Sequence, residues 1–147
     1  MAIASNLGFP RVGARRELKK ALEDYWSGKG NESALLAVGK TLRQQHWTLQ
    51  KQIGLAHIPS NDFSLYDSVL DTAAMVGAVP SRYRAAAGKV DLRTYFAMAR
   101  GLQENSAPGT ASHPADLPAM EMTKWFDTNY HYIVPELEQG RVFSCPR

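Results

Sequence analysis

Apolar residues recur at three- and four-residue intervals in four segments of the chain, and this spacing is typical of amphipathic helices. The predicted helices run from after Gly13 to Gly28, from about Glu32 to Gly54, from Ser64 to before Gly77, and from Asp91 to Arg100. Ser64 and Asp67 fit a capping box. Asp62 also flanks this predicted helix start, where capping accounts for both aspartates. Asp91 is a good N-cap, and Gly101 follows the last helix.

Short apolar segments outside the helices predict β-strands. They are Ile3 to Phe9, His57 to Pro59, Met120 to Phe126 and Tyr130 to Val134. Strands that alternate with helices indicate an α/β fold with parallel pairing. A complete barrel takes about 250 residues, whereas this chain has 147. We therefore predict an α/β, helix-rich part of a TIM-like (β/α) barrel that is incomplete in this chain.

One segment is poor in residues that could fill a core. Residues 104–119 contain three prolines and one glycine among small polar residues. Such a composition buries too little apolar surface to offset the entropy of ordering the chain. We predict a flexible loop there, inside a single domain that spans residues 1–147, rather than a boundary between two domains.

Composition narrows the class of protein. The net charge of +3 is small for a nucleic-acid surface but compatible with an anionic ligand. No apolar stretch reaches the roughly 18 residues of a membrane span, and the first residues lack the features of a signal peptide, so we expect a cytoplasmic protein. The single cysteine, Cys145, allows neither a disulfide framework nor a multi-thiolate zinc site within one chain. The scattered histidines also argue against a metal site.

The most informative charges lie at the predicted start of the first helix. Arg15, Arg16, Lys19 and Lys20 occupy its first turns, in pairs one turn apart. Cations there oppose the helix dipole, at a cost of roughly 0.3 to 1 kcal/mol each. Free backbone N–H groups after Gly13 and two guanidinium groups suit carboxylates or phosphates. The cluster therefore predicts an anion site; the alternative is a solvated basic face offset by nearby acidic residues.

Two further residues could carry chemistry. Lys124 lies in a predicted strand between Thr123 and Trp125, where a buried ammonium would need a partner or a ligand. His131 could act as an acid, a base or a ligand, although a lone histidine is more often structural. No glycine-rich phosphate loop or nucleophile triad is visible. No catalytic residue is therefore assigned.

Three long segments carry a resemblance to a known family. They are LGFPRVGARRELKKALEDYW (Leu7 to Trp26), IPSNDFSLYDSVLDTAAMVGAVPSRY (Ile58 to Tyr83) and EMTKWFDTNYHYIVPEL (Glu121 to Leu137). In this order they closely resemble the start of the cobalamin-independent methionine synthases. The resemblance covers nearly the whole chain up to about Gly140 and implies the N-terminal part of the first of two β/α barrels.

The resemblance also implies an activity and a set of contacts. The family transfers a methyl group from 5-methyltetrahydropteroyltri-L-glutamate to homocysteine and uses no cobalamin. Its members hold the homocysteine thiolate on zinc, and the zinc ligands lie in a C-terminal barrel that this chain lacks. No metal-binding residue is therefore expected here. The resemblance assigns contact with the folate polyglutamate to Arg15, Arg16, Glu17, Leu18 and Lys19, together with Lys124.

Other functions stay open at this point. The isolated chain is expected to be inactive, and the sequence leaves open a separate C-terminal polypeptide as a partner. A stand-alone module that binds folate polyglutamates or another polyanion without catalysis is the main alternative. A nucleic-acid-binding domain is disfavoured by the small net charge, and a remnant that folds poorly is a third possibility.

Overall fold

Helices dominate the secondary structure. A computed structural model describes residues 2–83, 90–102 and 116–139. The chain divides into two units, residues 1–65 and residues 66–147. The elements are α1 (Glu17–Trp26), α2 (Glu32–Gln52), α3 (Ser68–Met75), a 3-10 turn (Ser81–Tyr83), α4 (Leu92–Arg100), β1 (Met122–Lys124) and β2 (His131–Ile133). This mixture of helices with a small sheet is consistent with the expected α/β class.

The first unit is built on the pair α1 and α2, whose existence and approximate bounds confirm the helix predictions. Leu18 and Leu22 of α1 and Leu35 and Leu42 of α2 are buried, as the apolar stripes require. Asn31 caps α2, because its side-chain oxygen accepts the N–H of Ala34 at 2.9 Å. The turn between the helices therefore has its own acceptor for the backbone.

The strand predicted from Ile3 to Phe9 is wrong in extent and in burial. Only Ser5 pairs, in an isolated parallel bridge with His57, and Leu7 is fully exposed. The ladder does not continue because the N–H of Phe9 is donated to the Asp62 carboxylate at 2.8 Å, and Pro10 has no N–H to give. Parallel pairing is thus present at a single position of this unit.

The expected capping roles of Asp62 and Ser64 are also wrong. Asp62 accepts the N–H of Phe9, and the Arg11 guanidinium donates to both the carbonyl and the hydroxyl of Ser64 at 2.6 Å. Asp67 alone caps α3, accepting the N–H of Leu70 at 3.0 Å. Ser64 is thus bound by Arg11, which lies 53 positions away in the sequence. A local capping pattern does not reveal this contact.

In the second unit, Asp67 joins a helix to the sheet. Asp67 is 2% exposed, and its side chain accepts three hydrogen bonds. The donors are the N–H of Leu70 at 3.0 Å, the N–H of Ile133 at 3.0 Å and the Tyr130 hydroxyl. One carboxylate therefore fixes the start of α3 and the second strand together.

Helix α4 lies in the core of the second unit and matches its prediction at both ends. Asp91 caps it by accepting the N–H of Thr94 at 2.7 Å, and Gly101 ends it at a φ of 76°. Residues 94–99 are all buried. The hydroxyl of Tyr95 donates to Asp71 at 2.5 Å. The pKa of Tyr95 lies well above its ordinary value, mainly because the side chain is buried and secondly because of its hydrogen bond to this carboxylate.

The predicted flexible loop falls largely outside the described residues, because residues 103–115 are not among them. Its last part is described. Leu117 is buried and forms an antiparallel bridge with Leu102, in which the N–H of each residue is donated to the carbonyl of the other at 2.8 and 3.0 Å. The flexibility of the loop stays a prediction.

Strands β1 and β2 form an antiparallel hairpin with Lys124 opposite His131 and Met122 opposite Ile133. The two strands were predicted, although as longer segments, but parallel pairing is wrong for them. The short turn between Lys124 and His131 leaves no room for the crossover that a parallel pair requires. Ile133 is buried, whereas Lys124 and His131 are exposed.

An ion pair fastens the segment after the hairpin to the 3-10 turn. Both Nη atoms of Arg82 donate to the Glu136 carboxylate at 2.5 Å, and these bonds hold the pKa of Glu136 below its ordinary value of 4.5. A lowered carboxyl pKa contributes stability above the unfolded-state pKa, and this contribution is lost as the pH falls through the folded-state pKa.

We expect Glu136→Gln to lower the free energy of unfolding by less than about 1 kcal/mol at pH 7, because the pair is partly exposed to solvent. The difference from the unmodified chain should shrink when the pH is lowered from 7 to 3, because protonation of the carboxylate removes the ion pair. Urea denaturation at the two pH values measures it, with the exposed Glu121→Gln as control. A difference that persists unchanged at low pH would contradict the assignment.

Candidate functional site

The basic cluster (Arg15, Arg16, Lys19 and Lys20) surrounds the start of α1, and the predicted helical spacing holds for Arg16 and Lys20 but not for Arg15. The helix begins at Glu17, so Arg15 lies before it and Arg16 is its N-cap residue. Arg16 has a φ of 61° and a ψ of 35°, in the left-handed region. Its N–H is donated to the Gly13 carbonyl at 3.1 Å, so a tight turn precedes the helix. Arg15 thus lies outside the helix, whereas the N–H of Lys20 is donated to the Arg16 carbonyl at 3.1 Å, so Arg16 and Lys20 are one helical turn apart as predicted.

Glu17 covers the turn. Its carboxylate accepts the backbone N–H of Arg15 at 2.9 Å and the Nε–H of the same residue at 3.2 Å. The backbone N–H groups of Glu17 and Arg15 are the main cause of a lowered Glu17 pKa. Gly13 makes this possible, because its φ is 87° and a Cβ there would collide with the Glu17 carboxylate. The acid therefore stays ionised over the turn.

The expectation of free N–H groups after Gly13 is corrected by these bonds. The N–H of Arg15 goes to Glu17, that of Arg16 to Gly13, and that of Leu18 to the Val12 carbonyl at 3.1 Å. An anion would accordingly meet side chains here more than backbone. The Arg15 side chain is 89% exposed, which leaves most of its guanidinium open to solvent.

The remaining members of the predicted contact set differ in exposure. Lys19 is exposed and pairs with Glu23 at 3.6 Å, a distance typical of a weak surface pair. Arg16 and Lys20 are exposed, and neither makes an ion pair with a described residue. Leu18 is 2% exposed, so its side chain seats α1 in the core. A direct ligand contact of Leu18 stays a prediction.

Lys124 ends strand β1 in the second unit and is exposed, so the expectation of a buried ammonium is wrong. The hairpin turns the end of the strand away from the core, where Ile133 remains. The structure thus brings Arg15 to Lys19 together through one turn of the first unit. Lys124 belongs to the second unit.

Sequence reasoning gave little weight to the aromatic residues around the hairpin turn. The Trp125 ring lies edge-on to those of Phe126 and Tyr132, each at 5.3 Å between centroids. Phe126 is 80% exposed and has a φ of 48°, which is unusual for a bulky residue. The predicted second strand included Tyr132, but no sequence signal was available for the left-handed backbone of Phe126.

The described residues form neither a metal-binding cluster nor a membrane-spanning helix. Residues 2–83, 90–102 and 116–139 bring together no group of three histidine, cysteine, aspartate or glutamate side chains that could hold a metal ion. Among these residues, no helix combines the length and the apolar character needed to cross a membrane. Cys145 lies outside the described residues.

Comparison with known sequences decides the family. Residues 3–147 match the family described as the N-terminal domain of the cobalamin-independent synthases. The chain belongs to this family. The resemblance in its three long segments is thereby confirmed.

Similar curated proteins carry the name 5-methyltetrahydropteroyltriglutamate–homocysteine methyltransferase. The protein of Caulobacter vibrioides is 58% identical over 95% of this chain and 19% of its own length. That of Salinibacter ruber is 58% identical over 98% and 18%, and that of Mesorhizobium japonicum is 60% identical over 95% and 19%. The chain therefore spans about a fifth of the length of these relatives.

Proposed function

We propose that this chain is the N-terminal part of a cobalamin-independent methionine synthase, a methyltransferase, and that it binds the glutamate tail of 5-methyltetrahydropteroyltri-L-glutamate. The observation that carries the proposal is the basic cluster at the start of α1, where Arg16 is exposed and makes no ion pair with a described residue. The names of the relatives specify a folate with three glutamates. A tail of that kind offers several carboxylates to such a cluster.

The geometry of the cluster favours an extended anion over a single small one. Glu17 neutralises part of the charge of Arg15, and Glu23 does the same for Lys19, whereas the charges of Arg16 and Lys20 have no such acid among the described residues. A guanidinium can hold a carboxylate through two parallel hydrogen bonds. A tail with several carboxylates could therefore engage Arg16 while it competes with Glu17 for Arg15.

Chemistry is not assigned to this segment. In the family, zinc supplies a deprotonated, nucleophilic homocysteine thiolate. The described residues provide no group of three potential ligands, and no metal-dependent step is assigned to them. Methyl transfer to homocysteine belongs to the whole enzyme, and the role proposed for this segment is to hold the folate by its tail.

The first test compares tail lengths on the purified chain. Isothermal titration calorimetry with 5-methyltetrahydrofolate carrying three glutamates or one should show tighter binding of the longer tail. Inorganic tripolyphosphate, a polyanion without glutamyl groups, separates this function from its alternative, a module that binds polyanions in general. If tripolyphosphate binds as tightly as the folate, the alternative is favoured.

We expect Arg16→Ala and Lys124→Ala each to weaken binding of the triglutamate form by roughly 1 to 3 kcal/mol, the usual value of a hydrogen bond to a charged group. The same titration measures it. Lys40→Ala is the matched control, because Lys40 is an exposed lysine of α2 outside the cluster. Unchanged affinity in both test variants would remove the proposed site.

A further inference from the structure

One acid inside the basic cluster holds one of its cations at close range. Both oxygens of the Glu17 carboxylate face Arg15, because Oε2 accepts the backbone N–H at 2.9 Å and Oε1 accepts the Nε–H at 3.2 Å. The Glu17 side chain is 31% exposed and packs over Gly13, whereas the Arg15 side chain is 89% exposed. The acid is therefore fixed over the turn, and the guanidinium is the partner that is free to move.

The two contacts of the Glu17 carboxylate have different roles. The bond from Oε2 to the backbone N–H of Arg15 closes the turn before α1 and needs one acceptor oxygen. The bond from Oε1 joins two side chains at the surface, where an ion pair contributes little to stability. An incoming carboxylate can therefore replace Oε1 at the Arg15 guanidinium while Oε2 stays on the backbone. The turn survives this exchange.

The other cations of the cluster are held less closely. Arg16 and Lys20 make no ion pair with a described residue. Lys19 lies 3.6 Å from Glu23, and both side chains are more than half exposed. A first carboxylate thus meets two cations without competition. A ligand that brings further carboxylates reaches cations that already have an acid, of which Arg15 has the closer one.

We infer that Glu17 is a specificity-determining residue, whose carboxylate is an internal competitor that the glutamate tail must displace from the Arg15 guanidinium. Glu17 thereby limits how much affinity each added glutamate contributes. The inference rests on the proposed function. It gives Glu17 a role opposite to the favourable ligand contact that the family resemblance implies.

Glu17→Gln removes the competitor and keeps the turn. The amide oxygen of glutamine can accept the backbone N–H of Arg15, but its amide nitrogen only donates and cannot accept the Nε–H. We expect the triglutamate form of the folate to bind this variant about twofold to fivefold more tightly, as for the loss of one exposed ion pair. The form with one glutamate should gain less, because fewer of its carboxylates compete for Arg15.

A double-mutant cycle measured by isothermal titration calorimetry tests the competition directly. The two folate forms are titrated into the unmodified chain, Glu17→Gln, Arg15→Ala and the double variant, and circular dichroism checks that each is folded. In the Arg15→Ala background, Glu17→Gln should give no gain, since the competitor has lost its partner. Glu32→Gln is the control, because Glu32 is an exposed acid in the first turn of α2; it should leave both affinities unchanged.

A second comparison leaves Glu17 unchanged, so it holds even if Glu17→Gln does not fold. Arg15→Ala should weaken binding of the triglutamate form by a smaller factor than Arg16→Ala, because Arg15 is already paired with an acid and Arg16 is not. Equal losses in the two alanine variants would show that Glu17 does not compete for Arg15, and would overturn the inference.

The outcomes separate this inference from the proposed function. If the unmodified chain binds the triglutamate form but Glu17→Gln binds it equally or more weakly, the competitor role is overturned and tail binding stands. The same gain with and without Arg15 would be a long-range effect of charge and would also overturn it. If the unmodified chain does not bind the triglutamate form, the proposed function itself fails. A gain that requires Arg15 supports the competition.

Discussion

Replacing Asp67 by alanine is expected to lower the free energy of unfolding of the second unit by about 3 to 5 kcal/mol. The change removes the cap of α3, which is typically worth about 1 kcal/mol. It also leaves the N–H of Ile133, which Asp67 accepts at 3.0 Å, without its acceptor, and an unsatisfied buried donor costs about 1 to 3 kcal/mol. The Tyr130 hydroxyl loses its acceptor as well. Urea denaturation measures the total loss in the free energy of unfolding. Faster amide hydrogen exchange at Leu70 and Ile133 would show that the loss arises at the two N–H groups that Asp67 accepts.

Asp67→Asn separates the contributions. Both N–H groups are donated to one carboxylate oxygen, Oδ2, which the amide oxygen of asparagine can replace, while the Tyr130 hydroxyl faces the other. The loss should therefore be clearly smaller than in the alanine variant. Asp116→Ala, at an exposed position, is the control and should change little. An alanine variant with unchanged exchange at Ile133 would show that the carboxylate does not join the helix to the sheet.

Gly101→Ala is expected to cost about 2 to 4 kcal/mol, because two effects add at this position. Its φ of 76° and ψ of 169° lie in a region that residues with a Cβ essentially avoid. An added Cβ would also lie 2.8 Å from the Leu117 carbonyl oxygen and 3.1 Å from the Ala119 nitrogen. These are backbone atoms, so the bridge between Leu102 and Leu117 would have to shift.

A second glycine offers the matched control for this prediction. Gly77 has nearly the same φ, 75°, but an added Cβ would meet nothing within 4 Å. Gly77→Ala should therefore cost only about 1 kcal/mol, the backbone part alone. Thermal or urea denaturation of both variants gives the difference. Equal losses would mean that the contact with the Leu117 backbone carries no cost.

Local patterns were sufficient where the partner of a group lies within one helical turn. Asp91 and Gly101 bound α4 as predicted, because an N-cap bond and a positive φ at a helix end can both be recognised from neighbouring residues. Ser64 and Asp67 were both suitable caps. The choice depended on Arg11, which binds Ser64 from a distant position and which no local signal reveals.

The candidate site shows the same difference between features that local patterns predict and features that they do not. The sequence predicted an anion site at the basic cluster, and in the structure Arg15, Arg16 and Lys19 are exposed; anion binding by them stays a prediction. The position of the Glu17 carboxylate could not be predicted, since it depends on the left-handed backbone of Gly13 and Arg16. The exposure of Lys124 could not be predicted for a related reason. The burial of a strand end depends on where the hairpin leaves the core, and the alternation of side chains along a strand does not specify that point.

The position of Glu17 has a consequence for how a ligand would meet α1. Because the Arg15 and Leu18 N–H groups already have acceptors within the chain, the helix is complete before any anion arrives. Binding energy would then not be spent on ordering the backbone, which normally reduces affinity. A carboxylate approaching this end meets a preorganised turn. The Arg15 guanidinium and the Lys19 ammonium, which pair with Glu17 and Glu23, must each exchange one carboxylate for another.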